Sequence, residues 1–164
     1  MKTLYLIRHA EANWKKPGET DFERTVSISG VKEATSITKR LIELDFKPKL
    51  IICSSAKRTR ETAKLICNEI KYPIQDIDFN SSIYESSLKN LITLINSLPN
   101  LYNEIAIIGH NPSITKLSNY LTDDYISNIP TCSVVKIELE IDAWNEIIEG
   151  IGIQKFFIHP KTLL

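Results

Sequence analysis

The sequence predicts an α/β protein, a three-layer sandwich in which a mostly parallel central sheet carries helices on both faces. Three observations predict it. Short uninterrupted apolar runs, Leu4-Tyr5-Leu6-Ile7, Leu50-Ile51-Ile52-Cys53 and Ile105-Ala106-Ile107-Ile108, read as buried strands. Segments of helical period lie between them, and strands alternating with helices give βαβ units with parallel pairing. Each run also stops abruptly at polar residues, which sets the strand ends.

The first strand runs from Thr3 to Ile7. After a polar stretch containing Pro17-Gly18, residues Ser29 to Asp45 carry Val31, Ala34, Ile37, Leu41 and Leu44 at helical spacing, with Ser27 or Ser29 as N-cap. Leu50 to Cys53 is the second strand. A second helix, Ala56 to Ile70, presents Thr59, Ala63, Ile66 and Ile70, and Tyr72-Pro73 ends it. Ile77 to Phe79 forms a brief strand. Leu88, Leu91, Ile92 and Ile95 mark a third helix that stops before Pro99, and Glu104 to Ile108 returns to strand. Gly109-His110-Asn111-Pro112 follows, with Asn111 as N-cap and Pro112 at the favoured first position of a helix through Leu121. Two β-rich runs, Ser133 to Ile141 and Gly152 to Ile158, finish the chain.

The 164 residues suit a single domain, 1–164, with no internal repeat, low-complexity segment or linker. Lys plus Arg and Asp plus Glu balance at 20 each, so overall charge recommends neither a nucleic-acid nor a membrane partner. No apolar stretch approaches the roughly 20 residues that span a bilayer, and no signal-peptide core follows Met1, so a cytoplasmic protein is expected. Cys53, Cys67 and Cys132 lack the spacing of a zinc site and are odd in number; buried reduced thiols are the expectation, with no metal and no cofactor.

Arg8-His9 ends the first strand, Ser54-Ser55 and Arg58 follow the second, and Gly109-His110 ends the strand before Asn111. In a parallel sheet these carboxyl ends converge, which is where open α/β sheets bind ligands. Two arginines, two histidines and two helix N-termini together favour an anion, and phosphate matches the arginine fork. Two histidines flanked by two arginines would repel a divalent cation.

Arg8-His9-Ala10, Ser54-Ser55-Ala56-Lys57-Arg58-Thr59-Arg60-Glu61-Thr62 and Gly109-His110-Asn111-Pro112 resemble, in order, the signature blocks of the histidine phosphatase (phosphoglycerate-mutase-like) superfamily. Asp21-Phe22-Glu23-Arg24, the stretch Ile83 to Leu88 and the tail through Trp144, Gly150 and Pro160 are more similar to its small SixA-type phosphohistidine phosphatases. The resemblance implies that His9 is the nucleophile, that Arg8 and Arg58 clamp the phosphoryl oxygens, and that His110 stabilises their charge. Glu85 stands where the wider superfamily carries a proton-donating carboxylate, although a carboxylate at a helix N-terminus is the competing role. Arg24 and Asn111 are further phosphate-binding candidates; an ion pair of Arg24 with Asp21 or Glu23 is the alternative.

Departures from the pattern bear on function. Ala10 replaces the glycine common after the nucleophile and is expected to narrow the site. Lys15 stands where mutase-type members carry an asparagine, which argues against mutase chemistry. The chain has no large cap insertion, so the site is expected to be open enough for a phosphorylated side chain on another protein. The leading expectation is a metal-independent phosphatase that works through a phosphohistidine intermediate on phosphohistidine in a partner protein. A broad small-molecule phosphomonoesterase and a non-catalytic phosphate-binding module are the alternatives.

Overall fold

The structure, a computed structural model, describes residues 1–163. Its elements are β1 (Lys2–Arg8), α1 (Ile28–Glu43), β2 (Leu50–Ser54), α2 (Lys57–Ile70), β3 (Asp78–Asn80), α3 (Leu88–Asn96), β4 (Glu104–Gly109), α4 (Ser113–Leu121), β5 (Val134–Leu139) and β6 (Gly152–Ile158), with short 3-10 turns at Asp21–Glu23, Ile74–Asp76, Ser81–Ile83, Trp144–Glu146 and Pro160–Leu163. The sheet order is β3-β2-β4-β1-β5-β6. β3, β2, β4 and β1 are mutually parallel, whereas β5 is antiparallel to both β1 and β6. The sheet is therefore mostly parallel, as the sequence predicts.

The strand period of two sends alternate side chains to opposite faces. Leu4 and Leu6 of β1 and Ile105 and Ile107 of β4 join one apolar cluster with Leu91 and Ile95 of α3 and Leu117 and Leu121 of α4. Tyr5, Ile7, Ala106 and Ile108 face the other cluster, with Ile37 and Leu41 of α1 and Ala63 and Ile66 of α2. Both faces are dry, which is why these strands read as continuous apolar runs.

Two helix starts illustrate what local sequence can and cannot specify. Ser27 caps α1, its Oγ accepting from the Gly30 amide at 2.9 Å. Val31, counted in the apolar face, is 42% exposed, and the buried face runs through Ala34, Ile37, Thr38 and Leu41 instead. Asn111 is not the N-cap of α4. The helix begins at Ser113, and the Asn111 side chain is occupied elsewhere: its amide donates to Asn128 Oδ1 and Ile129 O, both at 2.9 Å, while its Oδ1 accepts from Thr115 Oγ1 at 2.7 Å.

The placement of the site follows from connectivity. β1 and β4 are neighbours, yet β1 leads toward α1 on one face and β4 toward α4 on the other. Their carboxyl ends diverge and open a crevice, the topological switch point of an open α/β sheet.

Candidate functional site

His9 is the first residue past β1. Its backbone stays in the ladder, its N–H donating to Gly109 O at 3.2 Å and its carbonyl accepting from Cys132 N at 2.9 Å. The ring is correspondingly fixed, with Nδ1 lying 2.8 Å from the carbonyl oxygen of Ala10. A carbonyl can only accept, so Nδ1 carries the proton and Nε2 keeps a lone pair. Nε2 has no hydrogen-bond partner among the described residues. His9 lines a cavity of about 300 Å³ together with Arg8, Glu11, Ala12, Arg24, Arg58, His110, Asn111 and Thr131. The geometry brings His9, Arg8, Arg58, His110, Arg24 and Asn111 together.

Arg58 arrives from the first turn of α2 and is 6% exposed. The 3-10 turn Asp21–Glu23 holds it: Nη1 donates to Asp21 O at 2.8 Å and Nη2 to Asp21 Oδ2 at 3.1 Å. Nη2 also lies 3.3 Å from His110 Nδ1, and guanidinium only donates, so Nδ1 accepts. His110 is thus neutral with its proton on Nε2, which donates to Ser54 Oγ at 2.7 Å. Arg8 donates from Nη1 to Ile129 O at 2.9 Å, and its Nη2 has no protein partner among the described residues.

Burial and crowding by cations set the protonation of this site. The His9 imidazole is pushed down to about 4, first by burial and then by Arg58, Arg8 and Arg24, against the opposing Ala10 hydrogen bond. His110 is pushed down to about 3 by burial, by His9 and by the arginines. Burial also lowers Arg8, with Glu33 opposing. At neutral pH the cavity therefore pairs fixed guanidinium charge with two neutral imidazoles, their ring centroids 5.3 Å apart.

Sequence reasoning passed over the residues that anchor these groups. Asp21 receives Tyr84 Oη at 2.7 Å, Arg24 Nη1 at 3.2 Å and Arg58 Nη2, and these hydrogen bonds, Tyr84's foremost, hold its carboxyl down to about 2. Arg24 is thus both an ion-pair partner of Asp21 and part of the cavity wall. Tyr84 packs edge-on against His110, with centroids 5.5 Å apart. Glu33 does not line the cavity but accepts from two residues that do, from Thr131 Oγ1 at 3.2 Å and from Glu11 N at 3.0 Å. The available signals are the SixA-like blocks Asp21–Arg24 and Ile83–Leu88, in which Asp21 reads only as an ion-pair partner of Arg24 and Tyr84 is given no role; Glu33 carries no sequence signal.

Glu85 is not in this cavity. It is exposed, sits at φ 52°, and forms no hydrogen bond or ion pair among the described residues. The carboxylate that does line the cavity is Glu11, whose Oε1 accepts from Ser27 Oγ at 3.0 Å. Ala10 does not narrow the cavity: it is fully buried, its methyl packs in the α1/α2 cluster, and its amide donates to Thr62 Oγ1 at 2.9 Å. Among the described residues, no group of three or more His, Cys, Asp or Glu is placed to hold a metal ion.

A family model described as histidine phosphatase superfamily, branch 1, matches residues 4–79, the stretch that holds Arg8, His9, Arg24 and Arg58. The match covers just under half of the chain. The fold agrees across nearly the whole length. A protein of Agrobacterium tumefaciens described as phosphohistidine phosphatase SixA superimposes with a TM-score of 0.84 at 24% identity, covering 97% of this chain and 98% of that one. The protein histidine phosphatase SixA complexed with tungstate gives 0.83 at 15% identity, covering 99% of each. In sequence, an uncharacterised chloroplastic protein of Arabidopsis thaliana is 27% identical over 155 residues, 88% of this chain and 70% of that protein. The mitochondrial serine/threonine-protein phosphatase PGAM5 of Xenopus tropicalis is 38% identical over 63 residues, 38% of this chain but only 22% of its own length. No helix among the described residues is long and apolar enough to cross a membrane.

Proposed function

We propose that this chain is a histidine phosphatase, a metal-independent enzyme that transfers a phosphoryl group to His9 Nε2, with phosphohistidine on a partner protein as its substrate. The observation that carries this reading is the state of His9: the Ala10 carbonyl pins the proton on Nδ1 and leaves a neutral Nε2 lone pair on a cavity walled by Arg8, Arg24 and Arg58. In the first half-reaction that lone pair forms a bond to phosphorus. The P–N bond of the substrate breaks, its electron pair staying on the departing imidazole, which leaves neutral because its other ring nitrogen carries a proton. In the second, water adds to phosphorus and loses a proton to solvent, and the P–Nε2 pair returns to His9. The guanidinium groups neutralise the phosphoryl oxygens throughout, the positioning and electrostatic work that dominates phosphoryl transfer. A dianion entering the cavity favours imidazolium at His110, which then donates to a phosphoryl oxygen after its contact with Arg58 gives way.

An imidazole leaving group needs no strong acid, whereas an alkoxide does. Glu85 lies outside the cavity, and Glu11, the carboxylate that lines it, is engaged by the Ser27 hydroxyl, which supports phosphohistidine over phosphate esters. The tungstate in the SixA neighbour, a tetrahedral oxyanion, and that neighbour's described activity on protein histidine support the same reading. A second reading, phosphoserine or phosphothreonine on a protein, draws on the name of the Xenopus relative. Three free buried thiols suit the reducing cytoplasm in which we place the protein.

The test is a panel of phosphohistidine protein, phosphoserine peptide and sugar, nucleotide and aryl phosphates, compared by kcat/KM. Phosphohistidine should rank first, and His9→Ala should abolish both turnover and acid-labile phosphate on the enzyme. Retained turnover in His9→Ala refutes the nucleophile, and a large preference for an ester reverses the substrate ranking.

A further inference from the structure

A second, larger concavity of about 620 Å³ lies beside the catalytic cavity, and its chemistry is opposite. Its wall includes the carboxylates of Asp123 and Asp124, the rings of Tyr125 and Phe157, Gln154 and His159. Asp123 and Asp124 are exposed and form no ion pair or side-chain hydrogen bond among the described residues, and Tyr125 is 79% exposed. Gln154 Oε1 and His159 Nδ1 lie beneath the groove surface without a hydrogen-bond partner among the described residues. Among the described residues, no lysine or arginine lines this groove.

The two concavities share one wall. Asn128 and Pro130 face the groove, Thr131 faces the catalytic cavity, and Ile129 between them accepts from Arg8 Nη1 and Asn111 Nδ2. The turn that bears the acids is held in place, because Asn119 clamps Ile126 with Nδ2 donating to its carbonyl at 2.8 Å and Oδ1 accepting from its amide at 2.9 Å. A phosphoryl group seated among Arg8, Arg24 and Arg58 therefore has an acceptor-rich, aromatic-walled groove one loop away.

We infer that this groove binds an arginine side chain of the phosphorylated partner protein, next to the residue whose phosphoryl group enters the catalytic cavity. The proposal rests on the reading of the protein as a phosphoprotein phosphatase and adds a sequence preference to it. Two carboxylates select a cation and reject a second anion. Between the two biological cations, the planar guanidinium with five donors suits several separate acceptors and stacks on tyrosine or phenylalanine rings, whereas ammonium is a compact, strongly hydrated point charge. Only a substrate with opposite charges on neighbouring residues satisfies both concavities at once, so nucleotides and sugar bisphosphates gain nothing from the groove.

The test compares two chemically phosphorylated histidine peptides that differ only in carrying arginine or glutamate beside the phosphohistidine, with p-nitrophenyl phosphate as a substrate too small to reach the groove. The arginine peptide should be favoured about tenfold in kcat/KM, on the scale of a partly exposed charge pair aided by ring stacking. Asp123→Asn with Asp124→Asn should erase that preference and leave p-nitrophenyl phosphate turnover unchanged, which also reports an intact fold. Asp123→Lys with Asp124→Lys should reverse it. Equal turnover of the two peptides by the wild type, or an equal fall on both in the variants, overturns the inference. A separate titration with acetyl-arginine amide, followed by the His159 NMR signals against acetyl-citrulline amide, reads the groove without catalysis. Selective shifts by the arginine compound support the groove even where no phosphohistidine peptide is turned over, an outcome that refutes the substrate reading alone; no shift refutes the groove.

Discussion

The neutral state of both site histidines makes the stability of this protein steeply dependent on pH. In the folded chain His9 is held at about 4 and His110 at about 3, against an ordinary 6.5 that both regain on unfolding. As pH falls below 6.5 the unfolded chain binds two protons that the folded chain refuses. The stability these groups contribute is complete above that value and is lost progressively down to pH 4 and below. With two protons of difference the slope approaches about 2.7 kcal/mol per pH unit, and the integrated loss between pH 7 and pH 5 is about 4 kcal/mol. Neither side chain exceeds 8% exposure, so solvent screens this effect little. The assay is urea unfolding followed by fluorescence of the fully buried Trp144, with midpoints measured from pH 7 to pH 5. A His9→Asn, His110→Asn double variant should lose most of the pH dependence in that window. A wild type that loses less than about 1 kcal/mol, or a double variant with the same slope as wild type, refutes the claim that the site holds neutral imidazoles among guanidinium charges.

Arg58→Ala should lower kcat/KM for p-nitrophenyl phosphate on the order of 100- to 1000-fold, because it removes the guanidinium that joins Asp21, His110 and the cavity; a loss under about tenfold contradicts that role. Glu85→Gln should change kcat/KM for aryl and alkyl phosphates by less than about twofold, whereas a general acid would forfeit roughly 100-fold or more. Gly30→Ala should lower Tm by roughly 4–8 °C, since overpacking costs about 2 kcal/mol and an added Cβ would clash with the Glu11 carbonyl oxygen and stand 2.7 Å from Val26 Cγ1. An unchanged Tm, measured by differential scanning calorimetry, would mean that the strap from Glu11 to Ser27 is free to move.

The fold was legible because most of its signals are local or periodic. Leu4 to Ile7 and Ile105 to Ile108 are apolar on both faces because helices cover both, and Ser27 caps α1 through an amide three residues away. Asn111 misled because an N-cap residue is also a competent long-range hydrogen-bonding group, and Asn128, Ile129 and Thr115 outcompete the helix amides for it. Val31 misled because helical spacing gives a face but not its edges. In the site, strand ends and sequence blocks were enough to nominate His9, Arg8, Arg58 and His110, whereas Glu85 was nominated by its place in a block and lies exposed on the surface.

By itself the sequence determined which chemistry is present: an arginine-histidine pair at one strand end, a second histidine at another, and an arginine opening the helix between. Only the tertiary structure decided what state those groups are in. The His9 tautomer depends on a backbone carbonyl, its lowered proton affinity on burial beside three arginines, and the grip on Arg58 on an aspartate 37 residues away, itself bonded to Tyr84 a further 63 along the chain. Protonation and hydrogen-bond direction are set by distance and desolvation in space, quantities that residue order does not encode.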